Sequence, residues 1–295
     1  MGLADVTLQP HGMVASRVTV FPHSQFQIPN YPPHPYGGAV QADGITSANT
    51  VGYSGATINA GQWYMVGVQF ADVASVNETA DFNSFISTTC TPGVIGDGSD
   101  PTWGNAPMIQ VLKENGQSYS YYYYVSDGDD GTFRFDLTGW VDDLGNIVGA
   151  SAVQTLSKGF WFKSATAGTL TCAGQVSALS TFTRNVPAGQ FEIVANPYPV
   201  ALGLNDPTTS GFTAGVIGDG SDPSWGNAPM IQILKENGLS YSYYYYVSDG
   251  DDGTFRFDLT GWVDDLGNIL TGTQVPVGQA FWIKSETAGT FTFGL

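Results

Sequence analysis

The chain is short of positive charge, histidine, cysteine and long apolar runs, and each shortage excludes something. Nine lysine and arginine residues stand against 26 aspartate and glutamate residues in a chain of 295, a formal charge of −17. A polyanion is repelled by nucleic acid and by anionic lipid, so neither is expected as a partner. No apolar stretch approaches the roughly 18 residues that a membrane-spanning helix needs. Met1 to Asp5 carries neither a basic n-region nor an apolar h-region, so no signal peptide is read there. The three histidines, His11, His23 and His34, all lie in the N-terminal segment. The rest of the chain therefore has no histidine to serve a nucleophile or a zinc ion. No glycine-rich phosphate loop opens a helix, and a non-enzymatic protein is expected. With charged residues at 12%, the solvated faces must be covered by Ser, Thr, Asn, Gln and Gly. That composition is common in secreted β proteins, which points to an extracellular or cell-surface location.

What is present is a statement made twice. Residues 93–147 recur as 215–269 with three differences in 55 aligned positions: Thr102/Ser224, Val111/Ile233 and Gln117/Leu239. A shift of 122 residues has the size of a domain rather than of a solenoid or propeller repeat. The likeness extends outward. Ala60–Val66 aligns with Ala188–Val194, and Lys158–Ser164 with Gln279–Ser285. The expected organisation is an N-terminal arm over 1–46, a first module over 47–176 and a second over 177–295. The boundary falls in the Ser-, Ala- and Thr-rich stretch near Gln175 to Val186.

The local signals are those of an all-β protein. Met108–Lys113 and Ser118–Tyr121 flank Asn115-Gly116, a strong two-residue hairpin signal, and the same hairpin recurs at Asn237-Gly238. Thr132–Leu137 alternates apolar and polar, as a half-buried antiparallel strand does. No convincing helix is read; Thr79 to Ile86 has room for one turn. Seven or eight short strands per module predict two tandem antiparallel β-sandwiches, of jelly-roll or immunoglobulin-like type, with a closed barrel as the alternative.

Cys90 aligns with Phe212 and Cys172 with Phe293. Joint replacement of two positions predicts a contacting pair, hence a disulfide between Cys90 and Cys172, against the plain alternative of two free buried thiols. Closing a loop of that length would contribute roughly 4–5 kcal/mol on chain-entropy grounds. Such a bond would imply an oxidising compartment. Alternation along Thr169–Cys172 puts Cys172 on the apolar face of its strand.

The strings Gly61–Phe70 and Phe191–Pro199, with Pro276–Lys284 followed by Gly289–Phe293, resemble the opening strand and closing hairpin of repeated β modules in secreted and surface proteins of Gram-negative environmental bacteria. The resemblance covers Ser47 to Leu295. It implies an extracellular, modular, β-rich protein, and it carries no catalytic residues.

Two side-chain groups are candidate sites. Asp97, Asp100, Asp127, Asp129 and Asp130, repeated as Asp219, Asp222, Asp249, Asp251 and Asp252, offer hard oxygen ligands for calcium. Asp142 and Asp143 form a further acidic pair. Asp-Gly is also an ordinary turn sequence, and the spacing over Asp127–Gly131 is one residue short of an EF-hand-like loop. Trp103, Tyr122 and Tyr124, with Trp225, Tyr244 and Tyr246, are candidate glycan or interface contacts. Successive tyrosines along one strand must point to both faces, however, so about half belong to the core. The arm adds strand-like Val18, Val20, Phe21, Phe26 and Ile28 ahead of a Pro-rich spacer, Pro29 to Pro35. A lone β segment must pair with something, either its own first module or another subunit. The expectation is the self-assembling subunit of a surface fibre or sheath, a homopolymer joined through the arm. A carbohydrate-binding adhesin, or an accessory module of a larger secreted protein, is the alternative.

Overall fold

The computed structural model describes residues 51–71, 79–93, 106–127, 137–148, 154–205, 228–248 and 260–294. These residues are nearly all β, arranged as several antiparallel sheets. The first repeat supplies β1 (Val51–Ile58), β2 (Trp63–Gly67), β3 (Thr79–Ala80), β4 (Ile86–Thr88) and β5 (Met108–Leu112). It continues with β6 (Tyr119–Asp127), β7 (Leu137–Asp142), β8 (Gln154–Thr155), β9 (Gly159–Lys163) and β10 (Gly168–Gln175). The second supplies β11 (Thr181–Val186), β12 (Phe191–Ala195), β13 (Leu202–Gly203), β14 (Met230–Leu234) and β15 (Tyr241–Ser248). Its last strands are β16 (Thr260–Val263), β17 (Gln274–Val275), β18 (Ala280–Lys284) and β19 (Gly289–Gly294). Among the described residues one helical turn forms, α1 (Phe82–Phe85), inside the segment read as having room for one; Asp81 caps it by accepting from the Asn83 N–H at 2.8 Å.

The two repeats build the same five-stranded sheet, β2-β9-β5-β6-β7 in one and β12-β18-β14-β15-β16 in the other. In each, the Asn-Gly hairpin is formed, pairing Met108 with Tyr123 and Met230 with Tyr245. Beside them lie β1-β10-β4 and its counterpart β11-β19, with the short pairs β3-β8 and β13-β17. The stretch expected as a boundary thus contains β11. The two largest apolar cores among the described residues lie one around Phe82, Trp140, Phe160 and Phe162, the other around Trp262, Phe281, Phe291 and Phe293. Phe182 of β11 packs against both.

The expected disulfide is not formed: Cys90 and Cys172 are both free and buried. Strand register is the reason. Cys172 pairs across the sheet with Ile86, whereas Cys90 lies beside Gly168, where an added Cβ would sit 2.8 Å from its Sγ. Gly168 and Cys172 are four residues apart on an extended strand, roughly 13 Å, while a disulfide needs Cα atoms within about 7 Å. The expectation that Cys172 faces inward holds, and burial alone pushes its thiol from the ordinary 9.0 up to about 12.

Candidate functional site

The two five-stranded sheets meet across a seam with near two-fold reciprocity. Val66 bridges to Gln279, and the equivalent Val194 bridges to Lys158, the equivalent of Gln279. Gly67 N–H donates to the Gly278 carbonyl at 2.9 Å, and the equivalent Ala195 N–H donates to the Ser157 carbonyl at 2.9 Å. Such mutual exchange is the signature of an isologous contact. The indole rings of Trp161 and Trp282, themselves equivalent, stand 6.3 Å apart near the pseudo-dyad. Close approach requires glycine on one side. A Cβ on Gly67 would lie 2.4 Å from the Ala195 Cβ, and one on Gly159 would lie 2.4 Å from the Ala280 Cβ.

On one flank the seam opens into a groove of about 840 Å³. Its walls are Ser54–Thr57 of β1, the Lys235–Asn237 turn and the Gln274–Gln279 run, with Tyr64, Leu170 and Cys172 behind them. Among the described residues β1 is the outermost strand of its sheet, paired on one side with β10. The repeats have diverged just here. Matching the register of β1 on β10 to that of β11 on β19 places Ser54, Ala56, Leu170 and Cys172 against Phe182, Arg184, Phe291 and Phe293. Tyr64 likewise corresponds to Glu192. In the second repeat the space is taken by phenylalanines and by an Arg184–Glu192 ion pair at 3.0 Å. Burial, and then the Arg184 charge, hold Lys158 below the ordinary lysine range beside that pair.

A second, smaller cleft of about 450 Å³ crosses the seam itself, lined by aromatic side chains of both repeats.

The strand that carries the tyrosines is sorted as its alternation requires. Tyr122 and Tyr124 turn into the first core, 5.3 Å from the Phe82 ring and 5.4 Å from the Trp140 ring, and Tyr244 and Tyr246 into the second. These four are half-buried and pack against the cores. The open tyrosines are their neighbours Tyr121 and Tyr243, 39% and 44% exposed. Burial, followed by the Tyr121 and Tyr241 phenols, raises the pKa of Tyr119.

Trp103, Trp225, the arm residues Val18, Val20, Phe21, Phe26 and Ile28, and Asp97, Asp100, Asp129, Asp130, Asp219, Asp222, Asp249, Asp251 and Asp252 lie outside the described residues. Asp127 closes β6. Among the described residues no three His, Cys, Asp or Glu side chains gather as metal ligands. Asp142 serves a turn: its Oδ1 accepts from the N–H groups of Leu144 at 3.0 Å and Asn146 at 2.8 Å. Asp264 repeats this with Leu266 and Asn268. Slight desolvation opposes the shift there, yet the bonds from Asn268, Leu266 and Gly267 win and hold its carboxyl below the usual range. Among the described residues no helix is long and apolar enough to cross a membrane.

Two equivalent residues escaped the sequence reading. Asn83 and Asn205, 122 positions apart, clamp the tryptophan strands β7 and β16. Their signal was an identical asparagine at matching distance from the repeat, in otherwise dissimilar surroundings. Comparison of the chain with protein-family models, with curated proteins and with solved structures returned no match.

Proposed function

We propose that the protein is a non-enzymatic extracellular structural subunit, built as two tandem β-sandwich modules over 47–176 and 177–295 behind an N-terminal arm. In this reading it assembles into a fibre or sheath at the cell surface. The observation that carries the reading is the groove along β1. A strand that is outermost among the described residues borders there about 840 Å³ of space, where the second repeat has larger side chains. An unpaired strand edge beside a groove is a template for strand addition. The chain ahead of Val51 supplies short strand-like segments, Val18–Phe21 and Phe26–Ile28, on a Pro-rich spacer. Insertion of that segment from one subunit into the groove of the next is a heterologous contact, which propagates rather than closes. Each main-chain hydrogen bond so formed contributes roughly 0.5–1.5 kcal/mol, besides the burial of Val18, Val20 and Phe21.

The test has two arms. Deleting residues 1–46 should leave the far-ultraviolet spectrum of the remaining chain unchanged and abolish high-mass assemblies in sedimentation and electron microscopy. In the full chain, Ala56→Arg together with Tyr64→Glu transplants the second repeat's ion pair into the groove and should do the same. The reading fails if the truncated protein assembles as the full chain does, or if the full chain stays monomeric at high concentration.

A further inference from the structure

We propose that the aromatic cleft across the seam is a binding site for a neutral glycan chain. It rests on observations independent of the assembly reading. Its walls come from both repeats: Trp63, Tyr119, Tyr121 and Trp161 on one side, Tyr241 and Trp282 on the other. Aromatic rings from the two repeats thus meet in one open cleft. Trp63 meets Trp161 edge-on at 5.9 Å, Trp161 leans on Trp282 at 6.3 Å, and Tyr119 sits 6.5 Å from Tyr121.

The chemistry of the cleft selects the ligand. A pyranose ring presents C–H groups on its faces and hydroxyls around its rim. It therefore pairs with aromatic faces above and below, and with amides and hydroxyls at the edge. The cleft supplies both, the second set as the Gln110 amide and the tyrosine hydroxyls. Aromatic side chains that end in a polar group suit a surface that is apolar in part and wet in part. Among the described residues no charged side chain lines the cleft, so a neutral ligand meets no unpaired charge there. A volume of about 450 Å³ lies within the range of small-ligand pockets. Lys163 covers one face of Trp63 at 5.2 Å, which holds that indole in place as the wall between the cleft and the larger groove.

Position in the repeat supports a specialised site. The dyad-related counterparts of Trp63 and Leu239 are Phe191 and Gln117. Leu239 and Gln117 are one of the three differences in 55 otherwise identical positions, and Leu239 is the one that lines the cleft. The cleft thus has the larger indole and an apolar rim where the related side has a phenyl ring and an amide.

Affinity electrophoresis of the full chain in native gels containing hydroxyethylcellulose, laminarin, xylan or galactomannan tests the site. At least one polysaccharide should retard the protein, and its soluble oligosaccharide should shift the tryptophan fluorescence. Tyr121→Ala should weaken that binding roughly tenfold. Tyr243→Ala is the control, because Tyr243 is the equally exposed counterpart that does not line the cleft; it should leave retardation unchanged. Both positions are at the surface, so both variants fold. The proposal is overturned if none of the four polysaccharides retards the protein, or if the two variants weaken binding equally. It is also overturned if Tyr121→Ala alters sedimentation of the free protein without altering retardation, which would make the cleft a contact between copies. None of these outcomes bears on assembly through the groove.

Discussion

The side chain of Asn83 is a two-ended clamp on the backbone around Trp140. Its Oδ1 accepts the Trp140 N–H at 2.8 Å while its Nδ2 donates to the Val148 carbonyl at 2.8 Å. Asn205 holds Trp262 in the same way, accepting its N–H at 2.6 Å and donating to the Leu270 carbonyl at 3.0 Å. The clamp fits because Gly139 and Gly261 stand next to it, each at positive φ; a Cβ on Gly139 would lie 2.7 Å from Asn83 Oδ1. The buried tryptophans at the centres of both cores are therefore located by a polar contact that apolar packing alone does not specify.

Removing the clamp leaves a main-chain donor and an acceptor without partners. Asn83→Ala should destabilise the protein by about 1–3 kcal/mol, and Gly139→Ala by a similar amount through displacement of the amide. Equilibrium denaturation followed by tryptophan fluorescence reads both. A change within experimental error for Asn83→Ala would mean that water replaces the clamp at no cost.

The seam makes a prediction of exchange. Gly67→Ala alone should cost about 1–3 kcal/mol, because its methyl meets the Ala195 methyl head-on. The reciprocal change, Ala195→Gly, frees that space, so the double variant should recover most of the loss. A double-mutant cycle on thermal unfolding measures the coupling. Additive losses would show that the two sheets do not meet at this point in solution.

Free thiols give a third expectation. The native protein should not react with a thiol reagent at neutral pH, should react at both Cys90 and Cys172 once unfolded, and should melt at the same temperature with and without reductant. The raised pKa of Cys172 also sets a sign. Below the unfolded-state value, near the ordinary 9.0, both states hold the proton and the thiol is silent. Between there and about 12 the unfolded chain loses its proton while the folded one retains it, so stability should fall as pH rises. Cys172→Ala should flatten that alkaline decline relative to the parent. Melting curves between pH 8 and pH 11 decide it, and identical slopes for parent and variant would assign the decline to the tyrosines.

Local patterns in the sequence carried far, and long-range register did not. The Asn-Gly hairpins and the two-faced tyrosine strand follow from period and turn chemistry, and both are present. The cysteine pairing failed because co-replacement reports a shared environment rather than a bond. Cys90 and Cys172 do share one core, but the register of β10 on β4 keeps them apart. Which tyrosines would be open was undetermined until the strand had a core side. The seam was hidden for a different reason. Its residues, Gly67, Gly159, Ala195 and Ala280, are small, so nothing in their chemistry marks a contact until two sheets are brought together. The groove was legible in principle, as a run of small-for-large exchanges at Ser54/Phe182, Ala56/Arg184 and Cys172/Phe293, but only after the strands were placed in register.

A self-complementary face is one that two separate molecules of a single repeat would use equally well, and joining them on one chain alters the terms of that encounter. Association between separate halves depends on how many are present, whereas linked halves meet at a fixed and high effective concentration, even in dilute surroundings. Linkage also removes an obligation. In a pair of identical molecules every substitution occurs twice, so a hollow on one flank forces the same hollow on the other. In the fused pair Ala56 can leave a space while Arg184 closes its twin, and a symmetric scaffold acquires a front and a back.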